Sequence, residues 1–193
     1  MPRVKLFNEK EVLQKAVTIF WKQGYNATSI QNLVDELGIN RASLYDTFGG
    51  KENLFKQSFE LYQQSNRKVI MDLLNSQNSI KEGFKKLLES SVAAAGSDNE
   101  FKGCFAVNTT TELLPGDPAL AEVLSKNQAE VEEVYYTYLK KGQENGEISK
   151  DKNIRSIARY FFTFVNGLMV VGKLNLTKDQ LFEMIEVGLS VLD

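Results

Sequence analysis

The sequence contains no histidine, one cysteine and three prolines among its 193 residues. Without histidine, a Ser-His-Asp or Cys-His catalytic relay and a histidine-ligated metal site are both excluded. The other groups able to do catalysis are carboxylate pairs, lysines and the lone thiol, and they form no spaced pattern. The sequence therefore predicts no enzymatic activity, no cofactor and no metal site.

The lone cysteine and the lack of long apolar runs bear on where the protein works. Cys104 cannot form an intrachain disulfide, which is typical of proteins in a reducing compartment. The segment from Met1 to Phe7 lacks the apolar run of a signal peptide. No stretch approaches the roughly 20 apolar residues that cross a bilayer. We expect a soluble, cytoplasmic protein with no membrane partner.

The net charge of −2 is unevenly distributed along the chain. Residues 1–56 carry a net charge of +2, and the remaining residues carry −4. A basic N-terminal part permits a polyanionic partner there without demanding one.

The few prolines favour a helical chain, because residues 3–114 contain no obligatory helix breaker. Apolar residues recur at helical spacing and almost nowhere alternate as in a strand. We predict an all-α fold of nine helices. The first three are marked by capping patterns at Asn8/Glu11, Thr28/Gln31 and Asn40. The later helices are predicted over residues 51–75, 79–95, 101–114, 118–141, 151–173 and 178–192.

Residues 28–51 have the pattern of two short helices that meet at a glycine, Gly38, which is the sequence form of a helix-turn-helix. In the second helix Leu44 and Phe48 are four residues apart and form one inward face. Lys51 begins the next helix, where its cation and the exposed backbone N–H groups can together hold one phosphate.

The outward residues of the second helix suit contact with nucleic acid. Ala42 and Ser43 are small enough to let a helix N-terminus approach closely. Arg41 can reach a base edge or a phosphate, and the Tyr45 hydroxyl can bond a phosphate. Periodicity alone is equally compatible with solvated residues on a small helical bundle, and Asp46 is awkward beside phosphates.

A longer set of residues occurs at fixed spacing around this segment. Its members are Gly24-Tyr25, Thr28-Ser29-Ile30, Leu33-Val34, Gly38-Ile39, Ser43-Leu44-Tyr45, Phe48, Lys51-Glu52 and Leu54. Together they resemble the N-terminal domain of the TetR/AcrR family of bacterial transcriptional regulators. Residues 103–118 also resemble the regulatory half of some members. One departure is Gly50, where the family commonly has a serine that caps the fourth helix.

The resemblance implies a helix-turn-helix domain over residues 1–50 and a ligand-binding and dimerisation domain over residues 51–193. It implies a homodimer that binds a pseudo-palindromic double-stranded operator, usually as a repressor that a small-molecule effector releases. Carried over by position, the DNA-facing residues are Thr28, Ser29, Asn40, Arg41, Ala42, Ser43, Tyr45, Thr47 and Lys51. We expect Arg41 to read a base, and Tyr45 and Lys51 to contact phosphates. The arm with Arg3 and Lys5 suits a DNA contact and a disordered tail equally well.

The helix over residues 151–173 is apolar on two sides and therefore needs two neighbours. We assign one side to the core of the protomer and the other to a partner subunit, with the last helix completing the interface. The predicted interface residues are Phe161, Phe162, Val165, Leu168, Met169, Phe182, Ile185 and Leu189. The central helix of a monomeric bundle is the alternative.

Aromatic and polar residues in the second domain suggest a pocket for the effector. The predicted lining residues are Tyr62, Phe84, Phe101, Cys104, Phe105, Asn108, Thr111, Tyr135, Tyr138 and Phe164. Because the chain lacks histidine and shows few buried-looking cations, we expect a neutral or weakly polar effector.

Two functional alternatives stay open. Cys104 is either a small buried hydrophobe or a thiol that senses electrophiles or oxidants, with Lys173 as a neighbour. A helical scaffold that binds a protein through its apolar C-terminal face is the other alternative. Such a scaffold would keep its function without Arg41 or Tyr45.

Overall fold

The computed structural model describes residues 7–96, 103–114, 118–174 and 176–193. Within these ranges the chain forms nine α-helices followed by a short 3-10 turn at Ser190–Leu192, and no strand occurs in them. The helices are α1 Glu9–Gln23, α2 Ile30–Leu37, α3 Arg41–Phe48, α4 Lys51–Asn75, α5 Ile80–Gly96, α6 Phe105–Leu113, α7 Pro118–Glu144, α8 Ile154–Val171 and α9 Lys178–Leu189. The predicted all-α fold is confirmed.

Polar side chains begin several helices, as the capping patterns predict. Asn8 accepts a hydrogen bond from the Lys10 N–H at the start of α1. Asn40 accepts one from the Ser43 N–H, 2.8 Å away, at the start of α3. α9 opens with the predicted reciprocal pair of Thr177 and Gln180. Local side-chain chemistry therefore positions these helix starts.

The predicted capping pair at the start of α2 is wrong by one residue. Ser29 is the N-cap, and its hydroxyl accepts from the Asn32 N–H at 3.0 Å. The Asn32 side-chain oxygen accepts in return from the Ser29 N–H at 3.1 Å. Thr28 lies outside the helix, and its hydroxyl donates to the Gly24 carbonyl at 2.6 Å.

Several later helix boundaries also differ from the prediction, since α8 spans Ile154–Val171 and α9 ends at Leu189. α6 begins at Phe105, and the stretch at 101–102 lies outside the described residues. α7 continues through Gly142 to Glu144. A Cβ on Gly142 would lie 2.7 Å from Cγ1 of Ile80, so this glycine allows close packing inside the helix and does not end it.

Buried apolar side chains form two clusters. The first joins α1, α2 and α3 to the first half of α4, and it also includes Phe105 of α6 and Leu120 of α7. The second lies among the end of α4 and helices α5, α7, α8 and α9. Because α4 contributes to both clusters, it links the N-terminal helices to the rest of the molecule.

α8 is the most apolar helix of the second cluster. Among the described residues it is the one helix that is long and apolar enough to cross a membrane by length and composition alone. Here it packs against α5 and α7, and Phe161 stacks on Phe84 with ring centroids 3.9 Å apart. This packing buries one side of α8 in the bundle, while residues such as Val170 on its other side stay exposed.

Candidate nucleic-acid interface and ligand cavity

The turn between α2 and α3 depends on Gly38. Its φ of +68° is in the left-handed region, and its N–H donates to the Val34 carbonyl. No atom lies within 4 Å of the place that a Cβ would take, so backbone conformation and not space favours glycine here. Beyond the turn, Leu44 and Phe48 are buried, as predicted. They fix which side of α3 faces outward.

The outer side of α3 presents Arg41, Ala42, Tyr45 and Asp46 to solvent. Tyr45 is 46% exposed. The Cζ atom of Arg41 lies 5.9 Å from the centroid of the Tyr45 ring, one helical turn away. A cation and a phenol hydroxyl are thus held together on an exposed helix face, where they can meet phosphates and base edges.

Gly50 lies between α3 and α4, at the position where the family commonly has a serine, and its backbone conformation differs from that of an ordinary cap residue. Its φ of +108° is one that side chains rarely adopt, and an added Cβ would lie 3.2 Å from Cε1 of Tyr45. The Tyr45 ring therefore packs against the backbone of Gly50. Gly50 offers no side-chain cap, so the first N–H groups of α4 carry a partial positive charge without a side-chain acceptor at the N-cap.

Lys51 is half-buried at this end of α4. Its ammonium nitrogen lies 4.2 Å from the centroid of the Tyr25 ring. Burial lowers the pKa of Lys51, and the Glu112 carboxylate acts in the opposite direction. The cation and the open helix N-terminus together form an arrangement that can hold an anion.

The other predicted DNA-facing residues are placed unequally. Ser29 and Asn40 are exposed caps, whereas Ser43 and Thr47 are half-buried. Thr28 is fully buried with its hydroxyl bonded to Gly24, so its side chain is not available to DNA, and this part of the prediction is wrong. The arm with Arg3 and Lys5 lies outside the described residues.

A cavity of about 410 Å³ lies among α4, α5, α6, α7 and α8. The structure places four predicted lining residues in its wall, namely Tyr62, Cys104, Thr111 and Tyr135. Among the described residues no charged side chain lines it. Burial raises the pKa of Tyr62 and of Tyr135, so both phenols stay protonated and can donate hydrogen bonds.

Five predicted lining residues lie elsewhere. Phe84 and Phe105 are core residues, and Phe164 packs against Gly188 of α9. Asn108 accepts a hydrogen bond from Lys173 at 3.0 Å, away from the wall. Tyr138 donates to the Ser79 carbonyl and borders a smaller, separate cavity. Phe101 lies outside the described residues.

The cavity wall includes polar side chains that sequence reasoning missed. They are the amides Asn66, Asn127, Gln128 and Asn166, with Ser90, Ser91 and Ser125. In the sequence, these residues could be recognised only because several of them lie next to apolar positions on the inward faces of their helices. The wall therefore combines apolar surface with neutral hydrogen-bonding groups.

Cys104 is 8% exposed and lies in this wall. Its sulfur is 3.7 Å from the Tyr62 hydroxyl oxygen. Lys173, the predicted neighbour, donates to Asn108, and an added Cβ on Gly103 would lie 2.4 Å from its Cε. The thiol is therefore a buried wall residue within reach of whatever enters the cavity.

Comparison with known sequences places these two regions in one family. Residues 12–57 match the profile described as bacterial regulatory proteins, tetR family, and residues 82–186 match the tetracyclin repressor-like C-terminal domain. The chain is 33% identical, over all of both sequences, to the HTH-type transcriptional regulator YezE of Bacillus subtilis (strain 168). The chain belongs to the TetR family of bacterial regulatory proteins.

Other TetR-family proteins are similar along almost the whole chain. The HTH-type transcriptional repressor ComR of Escherichia coli (strain K12) is 26% identical over 94% of this chain and 87% of its own length. A cysteine mutant of the TetR family regulator CifR, solved in complex with 26-bp double-strand operator DNA, superposes with a TM-score of 0.85. It is 28% identical, and the match covers 99% of this chain and 100% of that one. The fold and the role as a transcriptional regulator are thus those of the family.

The predicted interface of this TetR-family chain needs correction. Phe161, Val165, Leu168, Ile185 and Leu189 are each at most 7% exposed and pack inside the protomer. Phe162 and Met169 line the cavity. Within the protomer the two apolar sides of α8 therefore face the core and the cavity.

Apolar side chains are nevertheless exposed on and beside α8 and α9. Phe182, which was predicted, is 43% exposed. The others are Val170, Leu174, Met184 and Val187, with exposures of 47, 64, 37 and 72%. We call these five residues the α8–α9 surface. The α8–α9 surface is our candidate for a protein contact.

Proposed function

We propose that this TetR-family regulator binds a pseudo-palindromic operator as a homodimer and represses transcription until a neutral small molecule enters its cavity. The observation that carries the proposal is the exposed pair of Arg41 and Tyr45 on α3. Leu44 and Phe48 anchor the same helix from its other side. Lys51 adds a cation at the uncapped start of α4, where a phosphate is stabilised. The operator complex of CifR and the repressor name of ComR support the same activity.

The test begins with the full-length chain and a pool of random DNA duplexes. We expect selection to yield one inverted repeat, and footprinting to show two protected half-sites about one helical turn apart, roughly 34–36 Å. Affinity for the selected site should fall steeply as salt rises, because phosphate contacts release counterions. A chain that selects no sequence would contradict the proposal.

The homodimer is supported by the α8–α9 surface and by the size of the N-terminal helices. One α3 helix offers few base contacts, so two copies related by a two-fold axis are needed to hold register on DNA. We propose that residues 1–50 bind DNA and that residues 51–193 bind the effector and form the dimer. Helix α4 contributes side chains to the core clusters of both parts. The proposed location is the cytoplasm, where operator DNA is accessible.

The effector is proposed to be uncharged and largely apolar, with polar groups that match the side-chain amides. A volume of about 410 Å³ suits a small organic molecule. A charged ligand would lose its hydration without gaining an opposite charge from the described wall. In a series of compounds of one shape, neutral amides and alcohols should raise the melting temperature and release DNA. Carboxylate and ammonium analogues should do neither, and the reverse order would contradict the assignment.

A thiol-responsive version of the same switch rests on the place of Cys104 in the cavity wall. Electrophiles small enough to enter would reach its sulfur beside Tyr62. Operator release by a quinone or an aldehyde should then disappear in Cys104→Ser, while release by a neutral ligand persists. If Cys104→Ser responds to quinones like the parent chain, Cys104 is a packing residue.

A further inference from the structure

Glu112, on α6, reaches the turn between α1 and α2. One carboxylate oxygen accepts from the Tyr25 N–H at 3.1 Å, and the other accepts from the Asn26 N–H at 2.7 Å. These partners are 87 and 86 residues away along the chain. An added Cβ on Gly24 would lie 2.7 Å from the same carboxylate, so only glycine leaves room for this approach. A side chain of the regulatory half thus holds the backbone of the helix-turn-helix half.

The turn held by Glu112 is also where Lys51 rests. The Tyr25 ring, whose own N–H donates to Glu112, lies under the Lys51 ammonium at 4.2 Å. The same ring packs edge-on against Phe55 of α4, with centroids 5.0 Å apart. The place of the Lys51 cation therefore depends on where the turn puts Tyr25.

α6 contacts the N-terminal helices at its other end as well. The indole N–H of Trp21 in α1 donates to the Gly103 carbonyl at 3.1 Å, just before α6 begins. Between these two contacts, Thr110 and Thr111 line the cavity. Trp21 also packs edge-on against Tyr62, another wall residue, at 5.1 Å. One short helix thus borders the cavity and contacts the N-terminal half near both of its ends.

We infer that Glu112 is a positioning residue for operator binding. It holds the α1–α2 turn so that Lys51 meets its phosphate. Through this contact α6 couples the cavity to DNA affinity. The inference rests on the proposed function and names the regulatory contact within it. The carboxylate is suited to this role because its two oxygens satisfy two neighbouring N–H groups at once. A glutamine offers one acceptor, and an alanine offers none.

The experiment compares Glu112→Ala, Glu112→Gln and the matched control Glu122→Ala, an exposed glutamate of α7. The operator is the site that the wild-type chain selects. We expect operator affinity to fall about tenfold in Glu112→Ala, less in Glu112→Gln, and not at all in Glu122→Ala. If Glu112 acted only through its negative charge near DNA, both Glu112 variants would instead bind more tightly, which would overturn the inference.

A double-mutant cycle with Lys51→Ala separates positioning from general destabilisation. Glu112→Ala should lower the salt dependence of operator binding by about one phosphate contact, as Lys51→Ala does. In the Lys51→Ala background it should have little further effect. Additive losses, or a loss of affinity with an unchanged salt slope, would overturn the inference.

The lone tryptophan, Trp21, reports on the same junction. We expect the fluorescence emission of Trp21 to shift in Glu112→Ala while circular dichroism shows the helices intact. If the alanine variant does not fold, the same measurement is made on Glu112→Gln. A wild-type chain that selects no DNA site overturns the proposed function and this inference together. A wild-type chain that binds its site, with Glu112→Ala binding equally well, overturns the inference alone.

Discussion

At the scale of single residues, the DNA-facing side of α3 is decided by which side chains its neighbours bury. Leu44 and Phe48 are held in the first core cluster, so Arg41 and Tyr45 point away from it. Arg41 rests near the Tyr45 ring in the free protein. A residue held this loosely can turn toward a base edge at small cost, because an exposed cation–π contact contributes only about 0.5–1 kcal/mol.

Replacing Arg41 by alanine should weaken binding to the selected operator by about 1–3 kcal/mol and relax the preference at one base-pair position in each half-site. The physical reason is the loss of hydrogen bonds to a base edge. Fluorescence anisotropy on the operator and on its single-base variants measures both effects. Arg159→Ala removes an exposed arginine from α8 and should leave affinity unchanged. A loss that is equal for all sequences would show that Arg41 contacts only phosphate.

Asp46 is the one exposed acid on α3, within the described chain. Its carboxylate should repel nearby phosphates, so Asp46→Asn is expected to strengthen operator binding about two- to fivefold at low salt, an electrostatic gain that salt screens. Anisotropy titrations at two salt concentrations test this. Asp151→Asn, in the exposed segment before α8, provides the control. Unchanged affinity in both variants would mean that Asp46 faces away from DNA.

At the scale of helices and turns, glycines set the angles between the first four elements. Gly38 requires a left-handed backbone and has open space around it, whereas Gly50 combines a positive φ with a close contact to Tyr45. The sequence resemblance treats Gly50 as a weaker cap than the family serine. The structure gives it a further role, because the Tyr45 ring occupies the place of a side chain.

Gly50→Ala should therefore destabilise the protein by about 1–3 kcal/mol, since alanine is strained at this φ. It should also weaken operator binding, because the new Cβ moves the Tyr45 ring. Gly146→Ala is the matched control: Gly146 has a φ of +84° and nothing within 4 Å of its Cβ position. Urea denaturation should show a loss in both variants, and anisotropy should show weaker DNA binding in Gly50→Ala alone. Equal DNA affinity in the two variants would contradict the role given to the Tyr45 contact.

At the scale of the whole molecule, regulation requires that the cavity and both copies of α3 be mechanically connected. α4 runs from Lys51 to the second core cluster, and α6 connects the cavity wall to the α1–α2 turn. A ligand that shifts either helix changes how two α3 helices match the repeat of DNA. A coupling free energy of about 1–3 kcal/mol would already change affinity roughly 5- to 150-fold.

The α8–α9 surface should hold the two copies together. Val187→Asp, at a site that is 72% exposed, places a charge within a proposed apolar contact and should shift the protein toward monomers. Sedimentation velocity measures the shift, and operator binding should weaken in parallel. Met71→Asp, an exposed apolar residue of α4, is the control and should remain a dimer. A dimeric Val187→Asp variant would place the interface elsewhere.

Sequence reasoning succeeded where structure depends on neighbours in the chain. The bounds of α3 and α4 follow from Asn40, Gly49 and Gly50, because caps and positive-φ turns act within a few residues. Some pocket predictions, such as Phe84, were wrong because an aromatic residue on an inward face looks the same whether it meets a cavity or another ring. Phe84 lies against Phe161 in the core, whereas Tyr135, equally buried, borders the cavity.

The amino-acid order alone therefore determined the helices, the glycine turn, the anchored and exposed sides of α3, and the family. Only the tertiary structure decided which apolar side of α8 meets the core, which polar residues line the cavity, and that Glu112 holds the α1–α2 turn. The physical reason is distance along the chain. Helix caps and periodicity act over a few residues, but the contact of Glu112 with Asn26 joins groups 86 residues apart. It exists only because the first core cluster packs Phe105 of α6 among residues of α1.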